Sequence, residues 1–226
     1  MKSNFAALVL ANVSPDELEL SNLEQILINP IIRKSIAYSN DAAMTVIGLN
    51  NSLNNGICET LMIENLHVKF LPYTKGALAS LGLMLDLIPD NFPIIVVPTN
   101  SSIEEPLIDF FQEMSIKDAE IGLVIVKSNS RDLSYVRYVN DEIVEIHEKE
   151  VVSQFAIAGY YYFKNKKIIL ECLNWAMLNK VNKNSLLYIA PSLNFGITKG
   201  MKISSFMVNH EKYIHTIQSK GGNHNV

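Results

Sequence analysis

The sequence contains little cysteine and no long apolar run. Two cysteines, Cys58 and Cys172, occur among 226 residues, outside any Cys-x-x-Cys or Cys/His spacing that would indicate zinc. We expect both as buried free thiols rather than as a disulfide. No stretch reaches the about 20 apolar residues that span a bilayer, which argues against a membrane protein. The apolar run at residues 5–11 is too short for a secretory signal, so it is interpreted as a buried strand of a cytoplasmic protein.

Basic residues are not in excess either. The chain has 19 Lys and Arg against 23 Asp and Glu, a net charge of −4, so no overall basic field favours nucleic acid or an anionic membrane. Its 48% hydrophobic and 19% charged residues are typical of a globular protein. We expect one domain over residues 1–218 and a disordered polar tail over residues 219–226.

In the first half of the chain, short apolar runs alternate with amphipathic stretches. Strands are predicted at residues 5–10, 44–49, 67–71 and 94–97, and helices at residues 29–37, 53–62 and 75–88. The run at residues 94–97 is entirely apolar, which is typical of a central parallel strand covered on both faces. This order of elements predicts a doubly wound sheet with right-handed crossovers.

In the second half of the chain, the predicted strands follow one another with short links. Strands are predicted at residues 120–126, 134–139, 143–148, 156–163 and 203–208, with a tight link at Asn140 and Asp141 and a helix at residues 166–178. The short links indicate antiparallel pairing. The expected fold class is therefore α/β: a three-layer, Rossmann-like, mostly parallel sheet with an antiparallel insertion.

Three segments, taken in order, carry a resemblance to a known family. They are YTKGALA at residues 73–79, the pair Glu148 and Lys149 followed by AGYYYF at residues 158–163, and LYIAPSLN at residues 187–194. Together they resemble the sugar-phosphate nucleotidyltransferases, in particular the capsule and lipopolysaccharide branch. The fold predicted from the residue pattern is also the fold of that family. The resemblance implies a sugar phosphate and a nucleotide as ligands.

The resemblance also implies roles for individual residues. In the family, the Glu of the Glu-Lys pair binds sugar hydroxyls and the Lys meets the sugar phosphate, while the helix start near residue 76 supports the nucleobase. Carried over, the substrate-binding candidates are Glu148, Lys149, Gly159 and Asn194. The nucleotide-binding candidates are Asn12, Thr74, Gly76 and Asn100. Because members of the family often self-associate, a homo-oligomer is compatible with the resemblance.

The chain departs from the family pattern at the nucleotide end. The loop after the first strand, NVSPDE at residues 12–17, has no glycine to let backbone N–H groups approach a triphosphate. Gln25 stands where the family has a lysine, and Thr99 with Asn100 replaces the Gly-Asp pair that holds Mg²⁺. The resemblance thus leaves Mg²⁺ as a possible cofactor, but its carboxylate ligands are missing, and no metal-binding residue is predicted.

Each candidate also has a plain structural interpretation. Glu148 and Lys149 could be an exposed pair that ends a strand. Thr74 is interpreted first as a helix N-cap, and Asn100 with its serine neighbours as a turn and cap before Ile103.

These observations leave two main hypotheses. The first is a divergent nucleotidyltransferase-like protein of surface-polysaccharide biosynthesis, with altered or lost activity. The second is a non-catalytic protein that binds a sugar, a nucleotide or a protein partner as a scaffold or regulator. A transferase that uses a nucleotide-sugar donor is a third, less favoured reading, because the chain lacks the Asp-x-Asp motif that such enzymes need.

Overall fold

The computed structural model of the protein describes residues 3–11, 39–50 and 65–215. Its strands are β1 (Ser3–Ala11), β2 (Ala42–Asn50), β3 (Leu66–Leu71), β4 (Ile94–Val97), β5 (Ser101–Ile103), β6 (Ile121–Lys127), β7 (Ser134–Val139), β8 (Glu142–His147), β9 (Phe155–Phe163), β10 (Ile203–Met207) and β11 (Tyr213–His215). Its α-helices are α1 (Ala77–Met84), α2 (Leu107–Ile116), α3 (Lys166–Leu178), α4 (Ile189–Ser192) and α5 (Asn194–Thr198). Short 3-10 helices occupy Ser39–Asp41, Leu85–Leu87 and His210–Lys212. The predicted helices at residues 29–37 and 53–62, Asn12, Cys58 and the predicted tail lie outside the described residues.

The central sheet has the order β10-β6-β9-β4-β1-β2-β3. β3, β2, β1 and β4 are parallel neighbours, and β10 pairs with β6 in parallel. β9 lies between these two blocks and is antiparallel to both β4 and β6. The mostly parallel α/β sheet with an antiparallel portion is the predicted fold class, which is thus confirmed.

Both faces of the sheet are covered by helices because the central strands are apolar on both sides. In β4, Ile94 and Val96 pack into one core with residues of α1 and α3, and Ile95 and Val97 pack into another core with residues of α2. All four side chains are at most 1% exposed. This is the burial that the all-apolar run at residues 94–97 predicts.

The antiparallel portion consists of β7, β8 and the first half of β9. β7 pairs with β8 over a two-residue turn at Asn140 and Asp141, whose φ angles of 50° and 63° are those of the hairpin turn that matches strand twist. The predicted link at these two residues is confirmed. β7 also pairs with β9 near Ala156, which attaches the hairpin to the main sheet.

Two predictions about local structure are wrong. Thr74 is not the N-cap of α1: the cap position is Gly76, and the Thr74 hydroxyl lies 2.6 Å from the Ser80 Oγ. The residues before Ile103 do not form a helix cap but the strand β5, which pairs with β11. Such pairing depends on residues far away in the chain, so no local pattern indicates it.

The helix predicted over residues 75–88 is shorter than expected, since α1 ends at Met84 and a 3-10 turn follows. The helices α2, α4 and α5 were not predicted. In the described part of the chain, no helix has both the length and the apolar character needed to cross a bilayer.

Gly76 is fixed by a close approach of two backbone segments. Its φ of 106° and ψ of 166° belong to a region that only glycine occupies readily. A Cβ at this position would lie 2.4 Å from the carbonyl oxygen and 2.6 Å from the nitrogen of Leu187. The start of α1 and the chain around Leu187 therefore pack together only if residue 76 has no side chain.

We expect Gly76→Ala to lower the free energy of unfolding by more than about 3 kcal/mol, because backbone strain of about 1–3 kcal/mol adds to a clash with main-chain atoms. Chemical denaturation of the purified variant measures this loss.

Gly200→Ala is the matched control. Gly200 also has a positive φ, 65°, but a Cβ there would meet nothing within 4 Å. We expect only the left-handed strain of about 1–2 kcal/mol at this position. Equal losses in the two variants would contradict the view that the Leu187 backbone is what excludes a side chain at residue 76.

Candidate functional site

The carboxyl ends of β1 and β4 mark the place where the sheet changes winding direction. The chain leaves β1 toward β2 and β3 on one side, and β4 lies on the other side of β1. Open α/β sheets bind ligands in the crevice at such a point. Here the hydroxyl of Thr99 donates to the carbonyl of Leu10 over 3.0 Å, which ties the two strand ends together, and Asn100 is exposed beside them.

Gly159 also lies at this end of β4. The pairing of β9 with β6 shifts register between Leu123 and Ile125, and Gly159 sits opposite that shift with a φ of 90°. A Cβ on Gly159 would be 3.2 Å from the Pro98 ring. The structure thus places the predicted substrate residue Gly159 close to the strand end that carries the predicted nucleotide residue Asn100.

Glu148 follows β8 and is half-buried. Its carboxylate accepts a hydrogen bond from the hydroxyl of Ser134 at the start of β7. Burial raises the pKa of the Glu148 carboxyl above its usual value, and the Ser134 hydrogen bond and the positive charges of Lys149 and Lys183 partly offset the rise. A half-buried carboxylate with one fixed donor can accept further hydrogen bonds from ligand hydroxyls.

Lys149 has a left-handed backbone, with a φ of 52°. Its ammonium lies 5.4 Å from the centre of the Tyr188 ring, a cation–π distance. The ammonium of Lys183 donates to the carbonyl of Glu148 over 2.7 Å and lies 3.4 Å from the carbonyl of Lys149. The turn at residues 148–149 thus brings together one carboxylate and two ammonium groups, a set suited to a ligand with hydroxyls and an anionic group.

Residues 183–188, which we term the bridge segment, connect this turn to the start of α1. At one end lies Lys183. At the other end, the Leu187 N–H donates to the carbonyl of Lys75 over 2.8 Å, and the Leu187 carbonyl accepts from the N–H of Leu78 over 3.1 Å. Thr74 and Gly76, predicted for the nucleotide, and Glu148 and Lys149, predicted for the sugar phosphate, are therefore joined through one short stretch of backbone.

Asn194 occupies a different position from the other sugar-side candidates. Its Oδ1 accepts from the N–H of Ile146, and its Nδ2 donates to the carbonyls of Ile146 and Pro191 over 2.8 and 3.1 Å. These bonds fix the end of β8, two residues before Glu148. Asn194 thus supports the strand that carries Glu148, and its predicted contact with substrate stays a prediction.

A charged cluster flanks the turn on the outer side of the hairpin. Arg137 and His147 both contact the Glu145 carboxylate, at 2.9 and 3.0 Å, and His147 also lies 3.5 Å from Glu150. The hydrogen bond from Arg137, followed by that from His147, lowers the pKa of Glu145 to about 2. The Arg137–Glu145 pair links β7 with β8, whereas the two contacts of His147 lie within β8 and the residues that follow it.

The described residues do not offer a metal site. No group of three or more His, Cys, Asp or Glu side chains among them is arranged to hold an ion. At the end of β4, Thr99 and Asn100 supply hydroxyl and amide oxygens without a carboxylate, which is a poor donor set for Mg²⁺. In this part of the chain the residues do not fit Mg²⁺.

Two residues of this site, Ser134 and Lys183, are not among the residues predicted from the sequence. Ser134 begins a predicted strand, and nothing in the sequence indicates a role for its hydroxyl. Lys183 binds backbone carbonyls, which any residue possesses, so no pattern of residue types could have indicated it.

The raised pKa of Glu148 gives a pH-dependent stability. Because the folded-state pKa is raised, the carboxyl contributes fully to the free energy of unfolding below its unfolded-state pKa. This contribution is lost as the pH rises through the folded-state pKa. We therefore expect the free energy of unfolding of Glu148→Gln to exceed that of the wild type at about pH 7 and to be nearly equal to it at about pH 3.5. Denaturant titrations at the two pH values measure this difference.

Glu142→Gln, an exposed carboxyl on the same hairpin, controls for the loss of one negative charge and is expected to give no such gain. A wild type that is more stable than Glu148→Gln at neutral pH would contradict the assigned burial of this carboxyl.

The fold is shared with solved structures of nucleotide-sugar enzymes. A nucleoside-diphosphate-sugar pyrophosphorylase from Vibrio cholerae superimposes with a TM-score of 0.72 at 16% identity, over 93% of this chain and 95% of that chain. A protein from Bacillus anthracis assigned as a glucose-1-phosphate thymidylyltransferase, solved with sucrose, gives 0.73 at 14% identity, over 92% of each chain.

An inositol-1-phosphate CTP transferase from T. maritima gives a TM-score of 0.68 at 16% identity, over 97% of this chain and 92% of that chain. No protein-family model matches the chain, and no curated protein matches it in sequence. The chain therefore has the mixed α/β fold of these pyrophosphorylases and nucleotidyltransferases.

Proposed function

We propose that the protein is a divergent sugar-phosphate nucleotidyltransferase-like protein of surface-polysaccharide biosynthesis, of the capsule or lipopolysaccharide type, that acts in the cytoplasm and binds a phosphorylated sugar at Glu148 and Lys149. The observation that supports this proposal is the construction of the 148–149 turn. Its carboxylate is held by Ser134, and its backbone carbonyls are held by Lys183. If Glu148 and Lys149 only ended a strand, the hydrogen bonds from Ser134 and Lys183 would not be needed.

In the proposed complex, the two charged side chains bind different parts of the ligand. The Glu148 carboxylate accepts hydrogen bonds from sugar hydroxyls. The Lys149 ammonium, which projects over the Tyr188 ring, neutralises the phosphate. Asn194 acts through Ile146 by fixing the strand before Glu148.

The nucleotide would lie at the opposite end of the crevice. We assign its base to the loop at Thr74 and Gly76 and its phosphates to Asn100, with Gly159 beside it, and to Asn12, which follows β1 in the sequence. A sugar phosphate held at Lys149 would then direct a phosphate oxygen toward the nucleotide phosphates. Nucleophilic attack on the nucleotide requires this orientation. The described end of β4 offers Mg²⁺ no carboxylate.

The alternative is a non-catalytic protein that keeps the sugar-phosphate site and has lost nucleotidyl transfer. The strand end at Thr99 and Asn100 favours it, because amide and hydroxyl oxygens do not bring the negative charge that binds Mg²⁺. The absence of glycine from residues 12–17 of the sequence points the same way. Self-association is compatible with either version.

Calorimetric titration separates these versions. We expect glucose 1-phosphate to bind the wild type and Lys149→Ala to bind it at least about tenfold more weakly, because a charged hydrogen bond to phosphate contributes about 1.5–3 kcal/mol. Lys199→Ala is the matched control, since Lys199 also projects over an aromatic ring, that of Phe195, at 5.9 Å. Its affinity should equal that of the wild type.

Titration with CTP, UTP, dTTP, GTP and ATP, with and without Mg²⁺, completes the experiment. Mg²⁺-dependent binding of one nucleotide together with the sugar phosphate would favour the transferase version. Binding of the sugar phosphate alone would favour the non-catalytic version. Binding of neither would contradict the proposed function.

A further inference from the structure

The backbone at Lys149 is in a conformation that needs external support. A left-handed φ of 52° costs a residue with a side chain about 1–2 kcal/mol relative to ordinary conformations. The two carbonyls on either side of this strained residue, those of Glu148 and Lys149, both face the ammonium of Lys183. Lys183 is therefore placed where it can hold the peptide units that direct the Lys149 side chain.

Lys183 is itself held at a fixed position. The Lys183 N–H donates to the carbonyl of Leu186 and the Leu186 N–H donates back to the carbonyl of Lys183, over 3.1 and 3.0 Å. Between them, Asn184 and Ser185 have φ angles of 53° and 63°, which close a tight two-residue turn. The ammonium thus extends from a short hairpin rather than from an open loop.

The far end of the bridge segment is anchored in the core of the fold. Leu187 exchanges backbone hydrogen bonds with Lys75 and Leu78 at the start of α1, where Gly76 allows the two chains to touch. Tyr188 follows directly, and its ring faces the Lys149 ammonium. One rigid segment therefore supports both the backbone and the side chain of Lys149.

We propose that Lys183 is a positioning residue of the 148–149 turn, which it locks in the left-handed conformation that directs Lys149 toward an anionic ligand. This ligand is the phosphorylated sugar of the proposed function, on which the inference rests. Lys183 acts through the backbone of Glu148 and Lys149, and its own third N–H remains available to the same anion.

Three variants test this inference. Lys183→Met keeps the aliphatic stem and removes the ammonium. Lys183→Arg restores two or more donors that can reach the same pair of carbonyls. Lys180→Met is the control: Lys180 is an exposed lysine that also has a positive φ, 54°, and its side chain makes no hydrogen bond or ion pair to the described residues.

Two readouts are measured on each variant. The first is the set of backbone ¹⁵N order parameters of residues 148–151 in the unliganded protein, which reports how firmly the turn is held. The second is the affinity for glucose 1-phosphate by calorimetry. We expect Lys183→Met to lower the order parameters and to weaken binding about tenfold, with an unchanged unfolding midpoint. Lys183→Arg should recover most of the order parameters and most of the affinity for glucose 1-phosphate. Lys180→Met should equal the wild type in both measurements.

The outcomes separate this inference from the proposed function. If Lys183→Met keeps wild-type order in the turn, the inference is wrong. If the turn loosens but the affinity for glucose 1-phosphate is unchanged, the assigned effect on Lys149 is wrong. If the wild type binds no glucose 1-phosphate, the proposed function fails, and the order parameters alone then decide whether Lys183 locks the turn.

Discussion

The antiparallel strand β9 is the constraint on which the rest of the site depends. It joins two blocks of parallel strands by pairing with β4 on one side and β6 on the other. The turn with Glu148 and Lys149 precedes this strand, and the register shift at Gly159 brings its middle against the end of β4. Because β9 runs antiparallel to β4, its first residues, which pair with the hairpin near Ala156, lie beyond the carboxyl end of β4.

The two groups of predicted site residues differ in how they are built. Of those predicted for the sugar phosphate, Glu148 and Lys149 form a connected set of hydrogen bonds and charges with Ser134 and Lys183. Near those predicted for the nucleotide, the described end of β4 is followed by neutral Thr99 and Asn100. Under the proposed function, this contrast favours altered or lost nucleotidyl transfer.

Much of the fold could be predicted from local patterns, and much of the site could not. β4 and β9 are apolar on both faces, so their burial is encoded in a few adjacent residues. β5 and β11 are three residues each and form by pairing with each other. Because the partners are far apart in the chain, the local sequence does not predict either strand. The missed helix α2 did carry a signal, since its buried residues Leu107, Phe110 and Met114 follow helical spacing. The role of Lys183 depends on backbone carbonyls, so it appears only in three dimensions.

A crystal structure of the protein with a bound sugar 1-phosphate tests the central claim most directly. We predict that the phosphate lies at the Lys149 ammonium and that at least one sugar hydroxyl lies at the Glu148 carboxylate. Lys149 keeps its left-handed backbone in this complex. A sugar phosphate bound with its phosphate at the ends of β1 and β4, away from Lys149, would contradict the account.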